Sequence, residues 1–161
     1  MKKYIILFTA LLLLVGQNSF AQSKSVDALF QKYKAHENFF HMDLGGSFMN
    51  FAKGLNLQLD SNQKETLVNS MERMKMFKLP VTGAKVNEEY NSLLKGLKKE
   101  NFEVFLEAHE KKNGVLIYTK GGKTITDVVV LVKDEKQELM VFELLGSFDS
   151  KLLSDIGYSN K

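Results

Sequence analysis

Residues 102–146 read FEVFLEAHEKKNGVLIYTKGGKTITDVVVLVKDEKQELMVFELLG. Four runs rich in β-branched and aromatic residues, 102–110, 114–120, 123–133 and 138–146, are separated by short groups of Lys, Asn, Gly, Asp and Glu. Runs of this composition fit a pleated, partly buried surface, and the groups between them are turn formers. Connections of a few residues join antiparallel neighbours, so the stretch predicts an up-and-down meander.

The third and fourth runs carry more apolar residues than one buried face needs. Val128 to Val132 is apolar at every position, and Leu139 to Leu145 is interrupted only by Glu143. That pattern belongs to a central strand covered on both sides, or to one that faces a partner. Val128, Val130, Val132, Met140, Phe142 and Leu144 are therefore the candidate interaction surface. In the first run Phe102, Val104, Leu106 and Ala108 alternate with Glu103, Phe105, Glu107 and His109, which predicts one wetter face.

Upstream, Val26, Leu29, Phe30 and Tyr33 recur at helical spacing behind Ser25, a good N-cap, and the helix should end near residues 36–38. Residues 39–44, FFHMDL, suit a short strand before Gly45-Gly46. Ser47 can cap a second short helix carrying Phe48, Phe51, Ala52 and Leu55. Asn62 and Glu65 have the spacing of a capping box for a third, with Leu67, Val68, Met71 and Met74 on its apolar stripe. The alternation through Met74–Leu79 before Pro80 suits a strand. Asn87 caps the last helix, Glu88 to Lys99, which shows Tyr90, Leu93, Leu94 and Leu97 on one side. A closing helical turn is expected over residues 150–156. The fold class is α+β: a C-terminal four-stranded antiparallel meander, extended by one or two N-terminal strands and packed against several amphipathic helices.

The chain opens MKKYIILFTALLLLVGQNSFAQS, with two lysines, an apolar run from Tyr4 to Val15 and a small-x-small site at Ser19-Phe20-Ala21. This is the layout of a secretory leader, with cleavage between Ala21 and Gln22. The apolar run is shorter than the roughly 20 residues that span a bilayer. Residues 22–161 then form a single domain. Lys2 and Lys3 leave with the leader, so the +3 of the whole chain becomes +1, and no electrostatic case for nucleic acid remains. There is no cysteine, which excludes disulfides, thiolate metal sites, thiol catalysis and a lipidated cysteine.

Candidate chemistry is thin. His36 and His41 resemble the zinc-protease HExxH, but the second histidine is one position late. His109 stands between Glu107 and Glu110 with no second histidine nearby in sequence. Met71, Met74 and Met76, with Met42 and Met49, offer soft thioethers of the kind Cu(I) selects, yet methionine at such spacing is ordinary core filling. Gly121-Gly122 between Lys120 and Lys123 reads as hairpin geometry before an anion site. Ser47 and Ser147 lack the G-x-S-x-G context of a nucleophile elbow. Asp134, Glu135 and Glu138 read as solvated turn residues. Asp127 and Glu143 each interrupt an apolar strand and would meet across the sheet. A working carboxylate pair would need a raised pKa on one of them, whereas the plainer expectation is that both point to a wet face. No catalytic, cofactor-binding or metal residue is assigned, and no cofactor.

SVDALFQKY, YNSLLKGLKKENFEVFLEAHE, NGVLIYTK and ITDVVVLVKDEKQELMVFELLGSFD together resemble the domain of unknown function 4252 family of exported Bacteroidetes proteins. The resemblance runs over nearly the whole chain after residue 21. It implies an α+β domain at the periplasm or cell surface with no established activity. Its members often neighbour envelope regulatory genes, which implies an accessory role in regulation. Some keep a lipidation cysteine after the leader, and this chain departs from them. The expectation is an exported, non-catalytic interaction module whose partner is an envelope protein. The alternative is a carrier of a small hydrophobic ligand in a pocket lined by Phe48, Phe51, Phe102, Val129 and Phe142.

Overall fold

The computed structural model describes residues 22–45, 65–66, 69–110 and 113–151. Their elements are α1 (Lys24–Tyr33), β1 (Phe40–Leu44), β2 (Met71–Lys78), α2 (Ala84–Lys99), β3 (Glu103–Glu110), β4 (Asn113–Gly121), β5 (Thr124–Lys133) and β6 (Leu139–Asp149). The strands make one six-stranded sheet, ordered β1-β2-β6-β5-β4-β3, with every neighbouring pair antiparallel. β3 to β6 is the meander. β2 and β1 extend it beyond β6, and α2 carries the chain from β2 across the sheet to the far edge at β3.

Both helices lie on one face. Val26, Leu29 and Tyr33 of α1 and Val86, Leu93 and Leu97 of α2 pack with Phe77, Leu116, Tyr118, Val129, Leu131, Leu139 and Val141 from the strands. Phe102, just before β3, is buried in the same cluster, while Val104 at the edge is 52% exposed. The second face holds a smaller cluster of Ile125, Val128 and Phe148 with Met71, Ile117, Val130 and Leu144, all from strands. Shifts in pairing after Ile125 and after Met71 move these two side chains to the second face, away from the alternation of their strands.

Several boundaries differ from the sequence reading. Ser23, not Ser25, caps α1: its hydroxyl accepts the Val26 N–H at 3.2 Å. α1 ends at Tyr33, short of residues 36–38. α2 begins at Ala84 behind Gly83, whose φ of 65° suits glycine, so Asn87 sits inside the helix and bonds the Lys133 ammonium instead of capping. Helical backbone at residues 69–70 gives way to β2 at Met71, so Met71 and Met74 are strand residues and not a helical stripe. Tertiary pairing with Leu144 through Gly146 overrides the local helical spacing there. The expected helix at Ser47–Leu55, the Asn62 cap and most of the closing turn lie outside the described residues. Among the described residues no helix is long and apolar enough to cross a membrane.

Candidate functional site

The helix-covered face of the sheet contains charged residues in its interior. Lys75 of β2 pairs with Glu143 of β6 in register, and Lys120 of β4 with Asp127 of β5. Asp127 faces Leu145 and Glu143 faces Val129, so the two carboxylates are diagonal neighbours on adjacent strands. Asp127 is 2% exposed and Glu143 1%. The expectation of a wet face is thus corrected: α1 and the chain leading into it cover this end of the sheet, and both acids are inside.

The lysines beside them point elsewhere. Lys75 Nζ reaches Asp27 on α1 at 3.4 Å and lies 4.8 Å from the centre of the Phe30 ring. Lys120 Nζ lies 5.4 Å from the centre of the Phe102 ring. Glu143 instead accepts the backbone N–H of Ser23 at 2.8 Å. Among the described residues neither oxygen of Asp127 has a hydrogen-bond partner. The Ser23 N–H is near enough to lower the pKa of both carboxyls, but it is committed to Glu143.

Burial dominates the titration of the pair. It pushes Asp127 up to about 8, helped by the charge of Glu143 and opposed by Lys120. Glu143 is pushed up to about 7 by burial, against the Ser23 N–H and Lys75. A buried carboxyl is destabilised as an anion unless cations or N–H donors replace its water, and here the replacement is incomplete.

Further acids surround the start of α1. Glu100, at the end of α2, accepts the N–H groups of Lys24 and Ser25 at 2.9 and 2.8 Å and the Ser25 hydroxyl. Burial works to raise the Glu100 pKa, but these donors outweigh it and hold the carboxyl below its usual value. Gln22 Nε2 donates to Asp27 at 3.4 Å. The N-terminus of α1 is thus seated among Glu143, Glu100 and Asp127, with the N–H groups of Ser23 to Val26 taken up by Glu143, Glu100 and the Ser23 hydroxyl. Gly96 allows the approach: a Cβ there would stand 2.1 Å from Ser25 Oγ.

Between the helices a cleft of about 410 Å³ is bordered by Ser25, Leu29, Lys32, Glu89, Leu93 and Lys99, and does not include Asp127 or Glu143. Glu89 accepts Lys32 at 2.6 Å and the Tyr33 hydroxyl at 2.9 Å. Burial opposes ionisation of Glu89, but those two bonds lower its pKa.

The remaining candidates are scattered. His36 lies in the turn after α1 and His41 on β1, where it stacks with Phe39 at 5.6 Å. His109 bonds Glu107 at 2.8 Å on the exposed edge strand. Met74 and Met76 project to the second face of β2, and Met71 joins them through the pairing shift. Among the described residues no group of three His, Asp or Glu side chains is placed to hold a metal. Gly121, at φ 128°, closes the β4–β5 hairpin, and a Cβ would stand 2.2 Å from the Thr124 carbonyl oxygen.

The six residues of the candidate interaction surface come together. Val128 pairs with Leu144, Val130 with Phe142 and Val132 with Met140, all on the face opposite the helices. Val128 is buried and the other five are half-buried. The proposed carrier pocket is not assembled as expected: Val129 and Phe102 belong to the helix-covered core, whereas Phe142 stands on the opposite face, and Phe48 and Phe51 lie outside the described residues.

Residues 33–156 match the family described as Domain of unknown function (DUF4252). The chain belongs to the DUF4252 family. No curated protein and no solved structure matches this DUF4252 chain. Most of the acid cradle falls within the DUF4252 match, because Glu100, Asp127 and Glu143 do, whereas the start of α1 that it holds precedes residue 33.

Proposed function

We propose that this DUF4252 protein is exported under a leader cleaved between Ala21 and Gln22. In the periplasm or beyond it, the domain acts without catalysis as an interaction or envelope-regulation module, binding an envelope protein through the sheet face opposite the helices. One observation carries this reading: Val130, Val132, Met140, Phe142 and Leu144 form a contiguous apolar set on that face, and the side chains clustered with them come from strands. An apolar area of this kind gains about 25 cal/mol for each Å² that a partner removes from water.

The test is crosslinking and pull-down from envelope extract with protein starting at Gln22, in parallel with Val130→Asp and with Glu107→Lys on the exposed edge strand. Circular dichroism and thermal melts establish that each variant is folded. A partner lost with folded Val130→Asp but kept with Glu107→Lys is the expected result. If both folded variants retain the same partners, the face is not the interface. Should Val130→Asp fail to fold, Met140→Lys at the end of the same set replaces it.

A further inference from the structure

We infer that the buried Asp127–Glu143 pair is the receptor for the chain's own new N-terminus: the α-ammonium group that cleavage after Ala21 creates on Gln22 docks between the two carboxylates. This rests on the cleavage proposed above and goes beyond it, because it makes removal of the leader a step that completes the fold.

Geometry leaves little freedom. Ser23 is fully buried, its N–H is held by Glu143 at 2.8 Å and its hydroxyl caps α1. The nitrogen of Gln22 is three covalent bonds from that of Ser23, so the two are within about 3.7 Å of each other whatever the backbone angle between them. The new amino group therefore forms beside a carboxylate already in contact with its neighbour. Asp127, with both oxygens unpartnered among the described residues and more than nine-tenths buried, is the diagonal neighbour of that carboxylate.

Charge points the same way. Facing the pair are Lys75 and Arg73 from β2, Lys120 from β4, Asp27 from α1 and Glu100 from the end of α2. Each cation is engaged elsewhere: Lys75 with Asp27 and Phe30, Arg73 with Asp43, Lys120 with Phe102. The missing partner is one cation with several donors, inserted from the α1 side. Before cleavage the Gln22 nitrogen is a neutral amide with a single N–H. Hydrolysis leaves the carboxylate on Ala21 and an amine on Gln22 that takes up a proton, giving three donors and a positive charge. A buried anion regains in this way what burial removed.

The experiment compares protein beginning at Gln22 with protein beginning one residue earlier at Ala21, each with Asp127 and with Asp127→Asn. Intact mass excludes material in which the N-terminal glutamine has cyclised and lost ammonia. Moving the amine by one residue should lower the melting midpoint by about 5 °C with Asp127 present and leave it nearly unchanged in Asp127→Asn. Titration of the ¹⁵N-labelled Gln22 amine should show a pKa above its ordinary value of about 8, returning towards it in Asp127→Asn. Equal melting shifts in the two backgrounds overturn the docking. If Asp127→Asn does not fold, Glu143→Gln takes its place in the same cycle. The first residue of protein recovered from cell envelopes is read independently. Any start other than Gln22, or a cyclised Gln22, overturns docking in the cell, and a start other than Gln22 overturns the cleavage reading as well. A free Gln22 terminus without coupling to Asp127 overturns the docking alone.

Discussion

Glu143 accepts the backbone N–H of Ser23 at 2.8 Å, which ties the entry to the first helix to the middle of a strand 120 residues further on. Ser23 and Glu143 are among the most buried polar residues of the domain, with exposures of 0% and 1%. Removing a buried acceptor leaves its donor without water or partner, so this contact is worth more when broken than when counted as one hydrogen bond.

The pH dependence of stability follows from the pair when residue 22 has no free amine, as in a chain acetylated there. Asp127 and Glu143 titrate near 8 and 7 when folded, and both values are raised. The folded state then holds more protons than the unfolded chain at intermediate pH, so stability falls as pH rises. The contribution is complete below the unfolded carboxyl values of about 4 and is lost as pH passes the two folded values. Urea denaturation from about pH 5 to about pH 9 should show this decline, reduced in Asp127→Asn. A rise in stability over that window contradicts it.

Glu89→Ala should cost about 1–3 kcal/mol, because a buried carboxylate that holds Lys32 and the Tyr33 hydroxyl is lost. Burial, followed by Glu89, pushes the Tyr33 hydroxyl up to about 12. Followed by NMR, Tyr33 should titrate lower in the variant. An unchanged Tyr33 titration would refute the contact.

Gly96→Ala normally favours a helix by about 1 kcal/mol. Here the added Cβ would meet Ser25 Oγ at 2.1 Å and Ser25 Cβ at 2.7 Å. The expected sign is therefore reversed, with a loss of about 1–3 kcal/mol in denaturant melts. A stabilised variant would show that α1 and α2 are not in such close contact.

Asp43→Asn tests how β1 is held at its edge. Arg73 donates twice to Asp43, at 2.8 and 2.6 Å, and this holds the Asp43 carboxyl below its usual range. That contribution is present above the unfolded value and is lost as pH falls through the folded one. Both side chains are partly exposed, so the global cost should be under about 1 kcal/mol. Amide exchange should quicken in β1 and stay slow in β5. Equal acceleration in both strands would argue against a local role.

The meander was legible because local pattern and tertiary demand agree there. Runs of β-branched residues and tight turns leave few alternatives for residues 102–146, and α1 and α2 were legible from their apolar spacing. Met71 was misread because methionines at helical spacing also fit a strand, and pairing with β6 decides between them; Met74, whose pattern fits both, lies in β2 as its alternation with Met76 predicts. The six-residue apolar set could be named from sequence because alternate positions of two paired strands share a face once their register is fixed.

Asp127 and Glu143 show the limit. The sequence alone determined that two acids interrupt adjacent apolar strands and would meet across them, since strand pairing through a short turn follows from local chemistry. It did not determine which face they occupy. That was decided only by the tertiary structure, through the packing of both helices on the face that Asp127 shares with Val129 and Leu131 and the seating of the α1 entry over Glu143. Burial is a property of what lies above a residue, and what lies above Glu143 is a segment 120 residues away, so no reading of its neighbours could supply it.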